Sequence, residues 1–321
     1  MTERNKAFLR DWMLPMAMVF GASAYLLYHY IPQLHPLGAI FSDAVNEGQR
    51  LVIGLLLFFQ FIKTPPGALK LERWHIYAII FQSLMFIGLA VAAFHTPQKD
   101  IRILLECAMI CLICPTASAA GVITERLGGK ISGTVTYLII INATATLLIP
   151  AVIPMVRPSA DLGFWSYVLL LTMRIFPLLI VPCLLAWLIR YAFPKLHGFL
   201  KSHAGKSFYI WGVGLFLAIV LATKALVCSD ISIGLIICIA FTSMACCALS
   251  FMFGRRAGGP SRPDSMTAGQ TIGQKNTGFL IWLGYSYLTP VTSIAGGFYA
   301  IWQNMFNAWE LYRHEHHKAT S

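Results

Sequence analysis

Acidic side chains are scarce in this sequence, with 13 Asp and Glu in 321 residues, and charged residues of all kinds make up only 12% of it. Soluble domains carry roughly 25% charged residues, and without them so much apolar surface cannot be kept dry. A soluble globular fold is therefore excluded. Catalytic signatures are missing as well. No H-E-x-x-H or G-x-S-x-G occurs, and acid–base groups within the apolar stretches are few, which argues against a membrane-embedded enzyme. Gly205-Lys206-Ser207 mimics the end of a phosphate-binding loop, but Leu200 stands in the place of its first glycine, so direct ATP use is not expected. Cys111 and Cys114 form a C-x-x-C with no second pair at metal-site spacing. All eight cysteines lie within or at the edge of apolar segments, and they read as small buried residues, not as disulfides or metal ligands.

Apolar residues are abundant, at 57% of the chain with a mean hydropathy of +0.68. They fall in blocks long enough for a hydrocarbon core, which needs about 20 residues of helix. Spans are expected near 12–31, 50–62, 74–94, 101–119, 131–156, 165–191, 208–228, 231–253, 266–288 and 290–308. The block at 12–31 is too long for a cleavable signal and no small-residue cleavage site ends it, so it is expected to be the first span. The second span is short, and the polar stretch before it, Phe41 to Arg50, suggests an interfacial or re-entrant piece.

The formal charge of +11 is distributed by topology. With the N-terminus cytoplasmic, the inner segments hold about 17 basic residues, from Arg4, Lys6 and Arg10 to Arg313 and Lys318, against 4 outside (Arg50, Lys99, Arg102 and Arg157). That bias puts both termini in the cytoplasm and gives the charge no role in nucleic-acid binding.

Two spans are abnormal. The fourth ends in Cys114-Pro115-Thr116-Ala117-Ser118-Ala119-Ala120-Gly121, and the ninth opens with Thr267-Ala268-Gly269-Gln270-Thr271-Ile272-Gly273-Gln274-Lys275-Asn276-Thr277-Gly278. Each mixes helix breakers with hydroxyls or amides, which lipid tolerates only inside protein or beside a wet cavity. Each is also the fourth member of its group of five, and five is odd, so the second group enters the membrane inverted. Interrupted helices at matching positions of two halves point to a transporter's substrate site. The expected fold is an all-α membrane protein of about ten transmembrane helices. Residues 1–156 and 157–309 form two inverted five-helix repeats, broken helices 4 and 9 cross, and 310–321 is a cytoplasmic tail.

At these segments the sequence resembles the bile acid:sodium symporter family, secondary transporters of organic anions. Cys114 to Ser118 is similar to that family's C-P-G-G-T-A-S-N, Gln274 to Gly278 to its M-Q-N-S-G, and Ile301 to Asn304 to its V-W-H-N. Gln82 stands where the third helix of the family carries a sodium-binding Gln. The resemblance covers the second helix to Trp309 and implies a core and a panel domain. It also implies a bacterial-type member in the inner (cytoplasmic) membrane.

The departures concern sodium. The family's Glu and Gln of the ninth helix are Thr271 and Lys275 here, and its Ser-Asn pair falls at Ala120-Gly121. A fifth-helix hydroxyl falls near Leu138, with Thr134 one turn earlier as the nearest substitute. Only Gln82 and Thr134 remain serviceable, and a hard cation needs several oxygen ligands, so a tight sodium site is not expected. A Glu with two sodium ions sums to +1, as does Thr271 with a protonated Lys275. Lys275 is accordingly expected to act as a tethered cation, or to carry a proton.

The candidate substrate- or ion-binding residues are Lys275, Asn276, Thr271, Gln82, Thr116, Ser118, Thr134, Gln270 and Arg174, with no catalytic residue and no cofactor. The hydroxyls and amides could instead satisfy freed backbone or join helices. Arg174 either meets a substrate carboxylate or pairs with Glu106, and Glu106 is either structural or a coupling site. Lys224 is expected to snorkel, and Arg313 to His317 (R-H-E-H-H) to be solvated tail. The function expected is secondary transport of a small organic anion by alternating access. The rival is a transporter-fold membrane sensor that binds ligand without flux.

Overall fold

Backbone polar groups in an apolar medium must bond within their own segment. The chain meets that demand with helices. The computed structural model describes residues 3–320, without the side chains of 3–11, 14, 37, 39, 40, 68 and 315–320. The charges expected at Arg4, Lys6, Arg10 and Lys318, and the Glu315 to His317 part of the histidine-rich motif, therefore lie outside the described residues. The fold is 86% helical with no sheet among the described residues.

Among the described residues, six helical stretches are long and apolar enough to cross a membrane: Phe41–Lys63, Arg73–His95, Ile131–Val156, Phe164–Ala192, Pro194–Val227 and Ile233–Ala257. In one of them, Arg73–His95, Trp74, Ala78, Gln82, Phe86, Ala90 and Ala93 are buried at three- and four-residue spacing. Its other face exposes Ile76, Tyr77, Ile80, Leu84, Ile87, Val91 and Phe94. A helix that is apolar all round yet exposed on one side is suited to lipid, not water. These helices define an all-α, multi-pass membrane protein.

In chain order the helices begin with α1 (Glu3–Tyr30), α2 (Gly38–Lys63), α3 (Arg73–His95), α4 (Lys99–Ile113), α5 (Ala120–Arg126) and α6 (Ile131–Val156). There follow α7 (Phe164–Leu179), α8 (Val181–Ala192), α9 (Pro194–His203), α10 (Ser207–Val227) and α11 (Ile233–Ala257). The chain ends with α12 (Arg262–Gly273), α13 (Thr277–Tyr287) and α14 (Ser293–Thr320).

The segment expected at 101–119 is helical only to Ile113, the end of α4, and α5 begins just after it at Ala120, whereas the one at 266–288 is divided between α12 and α13. Three expected details change. Phe41 to Arg50 is no separate re-entrant piece, because it is the first part of the continuous helix α2. The 165–191 segment is two helices, since Pro182 has no N–H to carry the ladder past Ile180. The backbone of α14 runs on without a break at 310, and Glu310 is buried.

The largest core cluster brings α4 (Ile103, Cys107, Ile110, Cys111) against Cys246, Cys247 and Phe251 of α11 and Phe279 and Leu283 of α13. A second cluster joins Tyr25 of α1, Val45 of α2 and Ala218, Val220 and Leu221 of α10. Helices α11 and α12 pack backbone to backbone: a Cβ on Gly254 would lie 2.5 Å from the carbonyl oxygen of Ala268. The turn between them uses Gly259 at φ +78, a left-handed conformation that suits glycine.

Candidate functional site

Pro115 cannot donate a backbone hydrogen bond and disfavours helical geometry at Cys114, so α4 stops and the chain becomes extended. Helix α12 stops at Gly273, and Gln274 is extended as well. The two openings face each other. Ala117 N–H donates to the Gln274 carbonyl at 3.0 Å and Asn276 N–H to the Pro115 carbonyl at 2.8 Å. Thr116 and Lys275 thereby form an antiparallel bridge. Each break supplies partners for backbone groups that the other leaves free, which is the condition for irregular backbone away from water.

Lys275 is 1% exposed, so its amine does not face lipid. The ammonium donates to the Leu112 carbonyl at 3.0 Å. Leu112 is in the last turn of α4, where carbonyls have no helical partner and the helix dipole is negative. No carboxylate pairs with Lys275 among the described residues. Its titratable neighbours are four buried thiols, those of Cys114, Cys111, Cys246 and Cys247. The Lys275 backbone N–H is held separately by Gln303 Oε1 at 2.9 Å.

Beside the crossing lies a narrow cleft of about 70 Å³, lined by the backbone of both extended segments and by Ser118, Gln49, Gln303, Asn304 and Asn307. Carboxamides dominate its polar lining. The Gly278 backbone lets Gln49 come close, since a Cβ there would stand 2.7 Å from Gln49 Nε2. In this conformation the cleft is far smaller than the 300–1,000 Å³ of ordinary ligand pockets, so a solute of several carbons would require the cleft to widen.

The candidate residues separate into groups. Lys275, Asn276 and Ser118 line the cleft. Asn276 also caps α13, its Oδ1 accepting the Phe279 N–H at 3.2 Å. Thr116 Oγ1 donates to the Thr271 carbonyl at 2.8 Å, and the Thr134 and Thr271 hydroxyls share a 2.8 Å hydrogen bond. Gln270 sits one layer behind, in a chain from Gln274 through Gln270 to Glu310, which also pairs with Arg255. Gln82 Oε1 accepts from Tyr137 at 2.7 Å, while Gln82 Nε2 has no partner among protein groups. The two residues best suited to sodium thus have oxygens bonded to protein donors.

Arg174 is not brought to this site. It is exposed on α7, and Glu106 is bonded elsewhere. Buried Glu106 accepts from Arg157 Nε at 2.7 Å and from the Thr289 hydroxyl at 2.8 Å, with Arg102 at 3.7 Å. Arg157 lies just beyond the α6 terminus, and its guanidinium also donates to Thr289 Oγ1. Lys224, expected to snorkel, donates to Ser42 Oγ at 3.1 Å and lies over the Tyr285 ring.

Sequence reasoning passed over Gln49, Asn142, Asn307 and Glu310, all buried, and quoted Gln303 and Asn304 only as part of a motif. Asn142 is notable because neither its Oδ1 nor its Nδ2 has a partner. An amide within the apolar run Tyr137 to Ile149 was the available signal. Among the described residues, no three His, Cys, Asp or Glu side chains are placed to hold a metal ion. No protein-family model matches the chain, and no curated protein matches it.

Proposed function

We propose that the chain is a secondary active transporter of a small organic anion, working by alternating access in the inner membrane with both termini cytoplasmic. In this reading ten helices cross the bilayer as two inverted five-helix repeats like those of the bile acid:sodium symporter family. The observation that carries the proposal is the antiparallel bridge between the interrupted helices at Thr116 and Lys275, with an amide-lined cleft beside it. Discontinuous helices at the repeat interface are where transporters place substrate. The unpaired ammonium of Lys275 biases the crossing toward anions. It also supplies at the α4 terminus a fixed charge of the kind a bound cation would bring, so transport needs no sodium.

Uptake of labelled organic acids by proteoliposomes, with and without a sodium gradient, tests this. Accumulation without sodium is expected, and strict sodium dependence would overturn the tethered-cation reading. A second reading, ligand binding without flux, draws support from the mutual hydrogen bond of Thr134 and Thr271, which occupies both hydroxyls. Counterflow separates the two: a sensor binds the solute but exchanges none.

A further inference from the structure

A larger cavity, of about 790 Å³, lies away from the cleft, where the C-terminal end of α11, the start of α12 and the end of α14 meet. Four guanidinium groups line it: Arg255, Arg256, Arg262 and Arg313. The carboxylate in its lining is Glu310, which is already engaged by Arg255 and Gln270. No carboxylate pairs with Arg256, Arg262 or Arg313 among the described residues. Arg313 lies over the Trp309 ring and Arg262 contacts His314, so the four guanidiniums of the lining outnumber its one carboxylate.

The remaining lining is apolar. Phe251 and Phe306 form a tilted pair with centroids 4.0 Å apart, and Met252 and Trp309 are each 52% exposed at the rim. A cluster of guanidiniums in excess over carboxylate, above an apolar floor, recognises a tetrahedral oxyanion carried on an apolar or aromatic body. Guanidinium groups bind phosphate by paired parallel N–H···O hydrogen bonds. The volume falls within the range of ordinary ligand pockets.

We propose that this cavity is a binding site for a phosphate-bearing ligand, held by Arg256, Arg262 and Arg313. Arg255 is committed to Glu310 and keeps a structural role. An anionic phospholipid headgroup and a soluble phosphate ester share the required chemistry. The open rim and basic lining favour the lipid, since basic clusters at helix ends attract anionic headgroups.

The test is native mass spectrometry of the detergent-purified protein titrated with phosphatidylglycerol or phosphatidylcholine, alongside thermal unfolding in inorganic phosphate or chloride at equal ionic strength. The comparison variant combines Arg256→Gln, Arg262→Gln and Arg313→Gln. Preferential retention of phosphatidylglycerol by the wild type, falling about tenfold in the variant, supports the lipid source. Stabilisation by inorganic phosphate that the variant loses, without preference between the lipids, supports a soluble ester. Equal retention of both lipids by both proteins, with no response to phosphate, overturns the proposal. If the triple variant does not fold, displacement of phosphatidylglycerol from the wild type by inorganic phosphate decides. Absence of displacement together with equal retention of phosphatidylcholine overturns it.

Discussion

The ammonium of Lys275 and the carbonyl oxygen of Leu112 stand 3.0 Å apart, so the second interrupted helix supplies the charge that terminates the first. An isolated buried ammonium is costly, and here that cost is offset by its position at the negative end of α4. The backbone bridge and the charged contact act on the same two residue layers, 112–117 and 274–276. Cutting one therefore strains the other.

Lys275→Met keeps most of the side chain's length and removes the charge and its hydrogen bond. The expected loss is about 1–3 kcal/mol of stability, read as a lower thermal midpoint in detergent. Organic-anion uptake by proteoliposomes should fall at least about tenfold, a loss of about 1.4 kcal/mol at the transition state. Unchanged uptake would remove Lys275 from the transport machinery.

Thr134 and Thr271 should behave as one unit. Either single change to Val leaves the partner hydroxyl buried with one bond fewer, at about 1–3 kcal/mol. The double variant should cost clearly less than the two singles together, because no orphaned hydroxyl remains at their shared bond. Thermal unfolding of the four proteins completes the cycle, and strict additivity would show that the 2.8 Å contact has no energetic weight.

Glu106→Ala removes the acceptor shared by Arg157, Arg102 and Thr289. Breaking a fully buried ion pair costs about 3–5 kcal/mol. Arg157 is 34% exposed and can turn to water, so the expected loss is nearer about 2 kcal/mol. The same substitution should loosen the 289–292 turn, measured as faster amide hydrogen exchange at Thr289 and Thr292.

Gly254→Ala places a methyl group 2.5 Å from a backbone oxygen of α12, and no side chain can move aside to relieve it. Overpacking of this kind costs about 1–3 kcal/mol. Because α12 leads directly into the break at Gln274, substrate binding should weaken together with thermal stability. Gly198→Ala, with open space around its Cβ, is the control and should leave both unchanged.

Lys130 pairs with Asp264 at 2.5 Å and so joins the start of α6 to the start of α12. That ion pair raises the lysine pKa above its ordinary value. A raised lysine pKa contributes stability that is fully present below the unfolded value and is lost as pH rises through the folded one. The wild-type advantage over Asp264→Asn should therefore persist at neutral pH, begin to fall only above about pH 10.4, and be gone once pH passes the raised folded value. It should also shrink in high salt, since Lys130 is 49% exposed. Thermal midpoints of the two proteins across pH and salt check both expectations.

Membrane character, the apolar helices and the places where two of them break were legible in the sequence. All three depend on local chemistry: runs of apolar residues, Pro115 after Cys114, and Gly273 before Gln274. Hydroxyls and amides near those breaks were legible as candidates for the same reason. What sequence could not decide is which groups meet across long separations. Glu106 takes Arg157, not Arg174, because the end of α6 and the 289–292 turn converge on α4. Gln49 and Asn307, far apart in the chain, reach one cleft because α2 and α14 both flank the crossing. Lys275 was legible as a charge at a helix break, but its partner, the Leu112 carbonyl 163 residues away, is reached only because the two breaks pair. Helix breaks follow from the backbone of a few residues, whereas charge partners follow from packing, and packing exists only once the chain has folded.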